Sequence, residues 1–217
     1  MKMKEKNVLQ FYVLCNRLKN LIRSGWIDWN VQRDRIESVA EHIYGTQMLA
    51  IAMYSEFNYD LDLSKVLKML AIHELEETII GDLTPFHKDV KKKQEMGHKA
   101  ILKALEPLAD KKYWIDLIIE FDARKTKEAV FAYNCDKLEC DLQCKLYDEE
   151  NCVDLSDQKY NQIIENENIK HLLDENNSWS QMWIKNDLNL IDFDENFKKV
   201  NEFAIKNQIS NLINKEE

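Results

Sequence analysis

Helical periodicity runs along nearly the whole chain, and the residues that interrupt helices are almost missing. Only 4 glycines and 2 prolines occur in 217 residues, far below the roughly 12% that the two usually contribute. Sheet proteins need both for their tight turns, and no stretch alternates apolar and polar side chains with period two. The chain therefore reads as all-α, a single globular bundle of seven to nine helices. The length fits one domain, or one with a small extension. It is enough to remove about 70% of the unfolded surface from water, and 45% hydrophobic residues exclude wholesale disorder.

The apolar spacing predicts helices over 7–23, 39–57, 63–80, 88–106, 110–122, 126–149, 156–173, 179–186 and 194–214. Gly25 ends the first of these. Ser38 followed by Glu41 has the form of a capping box opening the second. Asp62 or Ser64 caps the third, and Gly81 with Pro85 ends it.

The net charge of -9 disfavours nucleic acid as a partner, since phosphate backbones are held by basic surface. It leaves room for a small phosphate ligand, which needs only one or two local cations or a metal. No apolar run approaches the roughly 20 residues of a membrane span. The basic Met1–Lys6 leads into an amphipathic stretch rather than a signal-peptide core, so the expected compartment is the cytoplasm. The 5 cysteines contain no CxxC pair. Reduced thiols in a helical core account for them better than a structural zinc site.

The informative feature is polar side chains placed on apolar stripes. In 39–57 the stripe is Val39, His42, Ile43, Thr46, Ala50, Met53 and Phe57. In 63–80 it runs Leu63, Val66, Leu67 and Leu70, and then His73, Glu74 and Glu77. In 126–149 it runs Ala129, Tyr133, Asp136, Cys140, Cys144 and Tyr147. Each intruder has an ordinary explanation when taken alone. His42 fits a hydrogen-bonded core histidine, Glu74 and Glu77 a solvated face, and Asp136 a partner of Lys137 or of an arginine. Together they are costly, because a buried polar group left unpaired costs several kcal/mol, about 2–7. One divalent cation shared by the three helices removes that cost for all of them. Two imidazoles and two carboxylates suit Mn, Co, Fe or Zn better than Mg. His87, His98 and His171 lie in polar surroundings and read as surface residues, with His98 a candidate for a second metal.

The order of these residues resembles a known family. Glu37-Ser38-Val39-Ala40-Glu41-His42, His73-Glu74 with Glu77 and Gly81-Asp82-Leu83-Thr84-Pro85, and Asp136-Lys137-Leu138-Glu139 are similar to the HD-domain metal-dependent phosphohydrolases. Within that superfamily they look most like the 5′-deoxynucleotidases. Arg23-Ser24-Gly25-Trp26 and Val31-Gln32-Arg33 resemble the same group, and the likeness covers about residues 8–150. The resemblance implies an HD-domain bundle whose metal ligands are His42, His73, Glu74 and Asp136. It implies Glu77 beside the attacking water, and Arg23 and Asp82 beside the phosphate and sugar. Trp26 is then either a wall for the base or a packing residue beneath its loop. The implied enzyme is a phosphomonoester hydrolase acting on (deoxy)nucleoside monophosphates with a divalent metal ion, as a homodimer.

One departure stands out. The family's second motif is His-Asp, and here it is His73-Glu74, with a further acid at Glu76 where Ala or Ser is common. The competing expectation is therefore a metal- or nucleotide-binding regulatory module that has lost turnover. Residues 151–217, acidic and rich in Asn, are expected to form a helical extension packed on the core.

Overall fold

The computed structural model describes residues 3–83, 90–175 and 177–213, the side chains of 90–94 excepted. Thr84, Pro85 and His87 lie outside the described residues. The α-helices are α1 (Lys4–Cys15), α2 (Ser24–Asp28), α3 (Val39–Phe57), α4 (Leu63–Ile72), α5 (Glu77–Ile80), α6 (Val90–Leu105), α7 (Lys111–Ala123), α8 (Lys127–Glu149), α9 (Glu167–Asp174), α10 (Trp179–Leu190) and α11 (Glu195–Lys206). No strand forms among the described residues; a single antiparallel bridge joins Ile22 to Ser38. The architecture is all-α, as the periodicity requires. Among the described residues, the segment 63–80 divides into α4 and α5, and the short α2 forms in the expected connector.

Contacts divide the chain into two compact units, Met1–Ser24 with Glu37–Cys135, and Gly25–Ile36 with Asp136–Glu217. The division falls inside α8.

In the first unit, α3 begins at the capping box read from the sequence. The Ser38 hydroxyl accepts from the Glu41 amide at 3.3 Å, and the Glu41 carboxylate accepts from the Ser38 amide at 2.9 Å. The helix buries Val39, His42, Thr46, Ala50 and Met53, spaced by three and four residues. Phe57, expected on that stripe, is exposed. Asp62 caps α4 by accepting from the Lys65 amide at 3.1 Å. α4 then packs against α3 and α7.

The expected helix 63–80 is interrupted. After Ile72 the backbone bonds become Leu75 to Ile72, Glu77 to Glu74 and Thr78 to Leu75, each spanning three residues. The His73 ring nitrogen Nδ1 meets the Leu70 carbonyl at 2.8 Å, the acceptor that an unbroken helix gives to the Glu74 amide. α5 starts afresh at Glu77.

The first expected helix also stops early, giving way to a 3-10 turn at Asn16–Asn20. Its apolar residues are not a buried stripe: Val8 is exposed, and no residue of α1 is buried.

In the second unit, an aromatic cluster forms the core. Trp26, Trp29 and Trp179 are buried with Tyr147 and Met182. The Trp26 ring meets Tyr147 edge-on with centroids 5.4 Å apart. The expected helix 156–173 is irregular over its first half. There the Asp154 side chain accepts from the Ser156 amide at 2.8 Å and Asn161 from the Ile163 amide at 2.9 Å, local bonds that compete with helix. A 3-10 turn at Ile163–Glu165 precedes α9. The last expected helix, 194–214, ends at Lys206, with a 3-10 turn at Ile209–Leu212. All five cysteines are free and four are buried. Among the described residues, no candidate metal grouping holds two of them.

Candidate metal centre

α3 and the end of α4 bring two histidines together, their rings tilted 53° to one another. His42 is completely buried, and His73 is 6% exposed. Their Nε2 atoms are 3.4 Å apart, with ring centroids at 5.4 Å. The contact of His73 Nδ1 with the Leu70 carbonyl assigns that nitrogen its proton when the ring is neutral. The Nε2 lone pair then faces His42. Phe121 of α7 closes the far side of His73, edge to face at 5.6 Å between centroids.

Glu74 supplies an oxygen to the same point. Its Oε1 lies 3.8 Å from His42 Nε2 and 3.8 Å from His73 Nε2. One ligand atom from each of the three residues falls within 4.8 Å of the others. Glu74 stands in the turn between α4 and α5, so the break described above sets its direction. Two imidazole nitrogens and a carboxylate oxygen converging in a buried place form a donor set that fits a divalent ion of intermediate softness.

Arg23 approaches from the segment before α2. Its Nη1 donates to Glu74 Oε1 at 3.1 Å, and its side chain is 15% exposed. Asp82 lies beside the same segment, its Oδ2 accepting from the Ser24 amide at 2.7 Å. Gly81 turns the chain into Asp82 with φ at 76° and ψ at 166°, a backbone region open essentially to glycine. Glu77, the first residue of α5, is 4% exposed, and its Oε2 is buried without a hydrogen-bond partner. Burial, and then the charges of Glu74 and Asp82, push its carboxyl up to about 11. Arg23 opposes that shift but does not cancel it.

The other sequence-predicted residues lie on other segments of the chain. Asp136 lies on α8, 5% exposed, with the Lys137 ammonium 3.0 Å from its Oδ2. It is carried by an unbroken helix, one residue past Cys135 of the first unit. Trp26 is 2% exposed and sits in the aromatic core of the second unit. His98 is exposed and contacts Asp122 at 3.3 Å, and His171 is exposed beside Glu175 at 3.6 Å. Arg33 pairs with Glu150 at 3.0 Å.

The sequence did not indicate two features of the site, the Phe121 wall and the Arg23–Glu74 pair. Neither has a local signal, because both join residues far apart in the chain.

A family model described as HD domain matches residues 15–183. The chain is 32% identical over 152 residues to the 5′-deoxynucleotidase HDDC2 of Dictyostelium discoideum, covering 66% of this chain and 79% of that one. It is likewise 32% identical over 147 residues to the 5′-deoxynucleotidase HDDC2 of Xenopus laevis, covering 66% of this chain and 71% of that one. A solved structure of a conserved hypothetical protein from Pyrococcus furiosus superimposes with a TM-score of 0.58 at 26% identity, over 72% of this chain and 97% of that one. An all-α chain with paired buried histidines, an adjoining carboxylate and a family match over most of its length belongs to the HD domain family.

Proposed function

We propose that the protein is a metal-dependent phosphohydrolase that removes the 5′-phosphate from deoxynucleoside monophosphates. One observation carries the reading: two buried imidazole nitrogens 3.4 Å apart share a carboxylate oxygen 3.8 Å from each. The 5′-deoxynucleotidase relatives support the reaction and the substrate class. In this proposal His42, His73, Glu74 and Asp136 hold the divalent ion. The nitrogen in that set favours Mn, Co, Fe or Zn over Mg.

When bound, the ion supplies Lewis acidity, neutralising phosphate charge and making a water more acidic. The remaining work belongs to side chains. Glu77, buried one turn beyond His73, orients the attacking water and takes its proton as a carboxylate, the form that the charge of a bound cation favours. The planar guanidinium of Arg23 holds phosphate oxygens. Asp82, fixed by the Ser24 amide, faces the sugar and assists proton delivery to the departing 5′-oxygen. A bond forms from water oxygen to phosphorus, the bond from phosphorus to the 5′-oxygen breaks, and the products are nucleoside and inorganic phosphate.

The same reading includes a homodimer in the cytoplasm. Among the described residues no helix is long and apolar enough to cross a membrane. The test is phosphate release from dAMP, dCMP, dGMP and dTMP by chelated protein resupplied with Mn or Co. Release from 5′- but not 3′-monophosphates is expected. No release with either ion overturns the proposal.

A further inference from the structure

We infer that Asp141, Asp187 and Asn201 form a second cation site, built from none of the residues of the histidine centre and suited to a hard divalent ion, Ca(II). The three residues come from α8, α10 and α11, and all belong to the second unit. Asp141 and Asn201 are completely buried, and Asp187 is partly exposed. Asn201 Nδ2 donates to Asp141 Oδ2 at 2.8 Å. That bond fixes the amide, and it leaves two buried acceptors, Asp141 Oδ1 and Asn201 Oδ1, without a donor among the described residues. The Asp187 carboxyl adjoins them. It is close enough to share a proton with that of Asp141, and its Oδ1 accepts from Asn186 Nδ2 at 3.3 Å.

A buried acceptor with nothing to accept is costly, and two acids brought together add repulsion. A proton shared by Asp141 and Asp187 relieves the repulsion but does nothing for the Asn201 oxygen. Turning the amide over sets that oxygen against Asp141 Oδ2, where it needs the same proton. A water serves two acceptors but brings no charge to the acids. Lys137 attracts both acids, yet its ammonium also stands 3.0 Å from Asp136 Oδ2, so one charge is spread over three carboxyls. A divalent ion answers all of this at once. It takes Asp141 Oδ1, Asn201 Oδ1 and an oxygen of Asp187, and it displaces the shared proton. The Asn201–Asp141 bond survives, since it uses the other atom of each group. The donors decide the ion. All are oxygens, from two carboxylates and one amide, and among the described residues no imidazole or thiol joins them at coordinating range. This is the donor chemistry of Ca(II), at about 2.3–2.6 Å from each oxygen, with water entering beside Asp187 to complete the shell. Bound there, the ion ties α10 and α11 to α8, the helix that carries Asp136.

The experiment titrates chelator-stripped protein with Tb(III), an oxygen-seeking stand-in for Ca(II), and reads the bound ion by luminescence excited through tryptophan. Trp183 lies one turn before Asp187 on α10. One Tb(III) per chain that Ca(II) displaces is the expected result. Asn201→Leu is expected to weaken Ca(II) at least about tenfold, the cost of losing one ligand. Asp187→Asn, which keeps the shape of a partly exposed side chain, is expected to do the same. His73→Gln removes a donor of the histidine centre and is expected to change Ca(II) binding less than about twofold. If Ca(II) displaces no Tb(III) from the unsubstituted protein, the site is overturned and a proton or a water holds the acids. Unchanged binding in either Asn201→Leu or Asp187→Asn overturns it too, and so does loss of the signal in His73→Gln, which places the ion in the histidine centre. Should Asn201→Leu fail to fold, Asn201→Asp replaces it. A third charge in the shell is then expected to tighten Ca(II) about tenfold, and no change overturns the site. The proposed hydrolysis uses none of Asp141, Asp187 and Asn201, so it survives the failure of this site.

Discussion

Glu77 is the residue on which the proposed chemistry depends most sharply, because its surroundings make no structural use of a charge. Its Oε2 has no hydrogen-bond donor, and its neighbours Glu74 and Asp82 are acids. A carboxylate kept only for packing in such a place is replaced by glutamine without loss, since the amide has the same shape and no charge to desolvate. A carboxylate that takes a proton from water is not. Glu77→Gln is therefore expected to leave thermal stability unchanged or raised while lowering phosphate release by about 10²- to 10⁴-fold, the range of a general base. Circular dichroism melting and a phosphate assay on the same preparation test both halves. Retained activity removes Glu77 from the mechanism. His73 shows the opposite case, a side chain whose position is fixed on both sides, by the Leu70 carbonyl and by the edge of Phe121.

At the scale of elements, periodicity revealed where helices lie but not where they yield. α3 was legible to the residue because Ser38 and Glu41 carry its start in their own chemistry. The interruption after Ile72 was not, since the apolar spacing continues across it. There the His73 side chain meets the Leu70 carbonyl, a contact that no pattern of hydrophobicity encodes. The polar residues of the site were legible as misfits on stripes, whereas the Arg23–Glu74 pair, spanning 51 positions, had no local trace.

Gly81, which ends α5, is a place where an element boundary serves the site. A Cβ added there meets nothing within 4 Å, so the cost of Gly81→Ala is backbone strain alone. That cost is expected at about 1–3 kcal/mol in urea unfolding. Activity should fall further than stability, because Asp82 is the next residue.

α8, α10 and α11 carry a second group of buried acids. Asn201 Nδ2 donates to Asp141 Oδ2 at 2.8 Å, while Asp141 Oδ1 has no donor. Burial, and then the charge of Asp187, raises the Asp141 carboxyl well above its usual range. Burial also raises Asp187, against the pull of Lys137. A carboxyl with a raised folded-state value keeps its proton longer in the folded chain. Its contribution to stability is complete below the ordinary carboxylate value of about 3.9 and is lost as pH climbs through the raised value. Asp141→Asn copies the protonated form. It is expected to stabilise the protein more at pH 8 than at pH 5, as followed by melting temperature; an equal effect at both contradicts the shift.

For the molecule as a whole, the excess of acids matters most where it is concentrated. The chain carries -9 overall, and Glu74 and Asp82 add negative potential around Arg23. A native state that gathers acids around a cation site is stabilised by mass action when the cation binds, because the unfolded chain disperses its ligands. At a metal concentration about 100 times the dissociation constant, the gain is about 2.7 kcal/mol. In a chain of this size that corresponds to a melting shift of about 5–10 °C. Chelation followed by calorimetry is expected to lower the transition by that amount, and Mn added back is expected to restore it. Asp136→Asn separates this effect from general screening of negative charge. If Asp136 is a ligand, the variant keeps the metal-free melting temperature and loses most of the rise on adding Mn. If Mn acts only as a diffuse counterion, the variant retains the rise, and sodium chloride at matched ionic strength reproduces it.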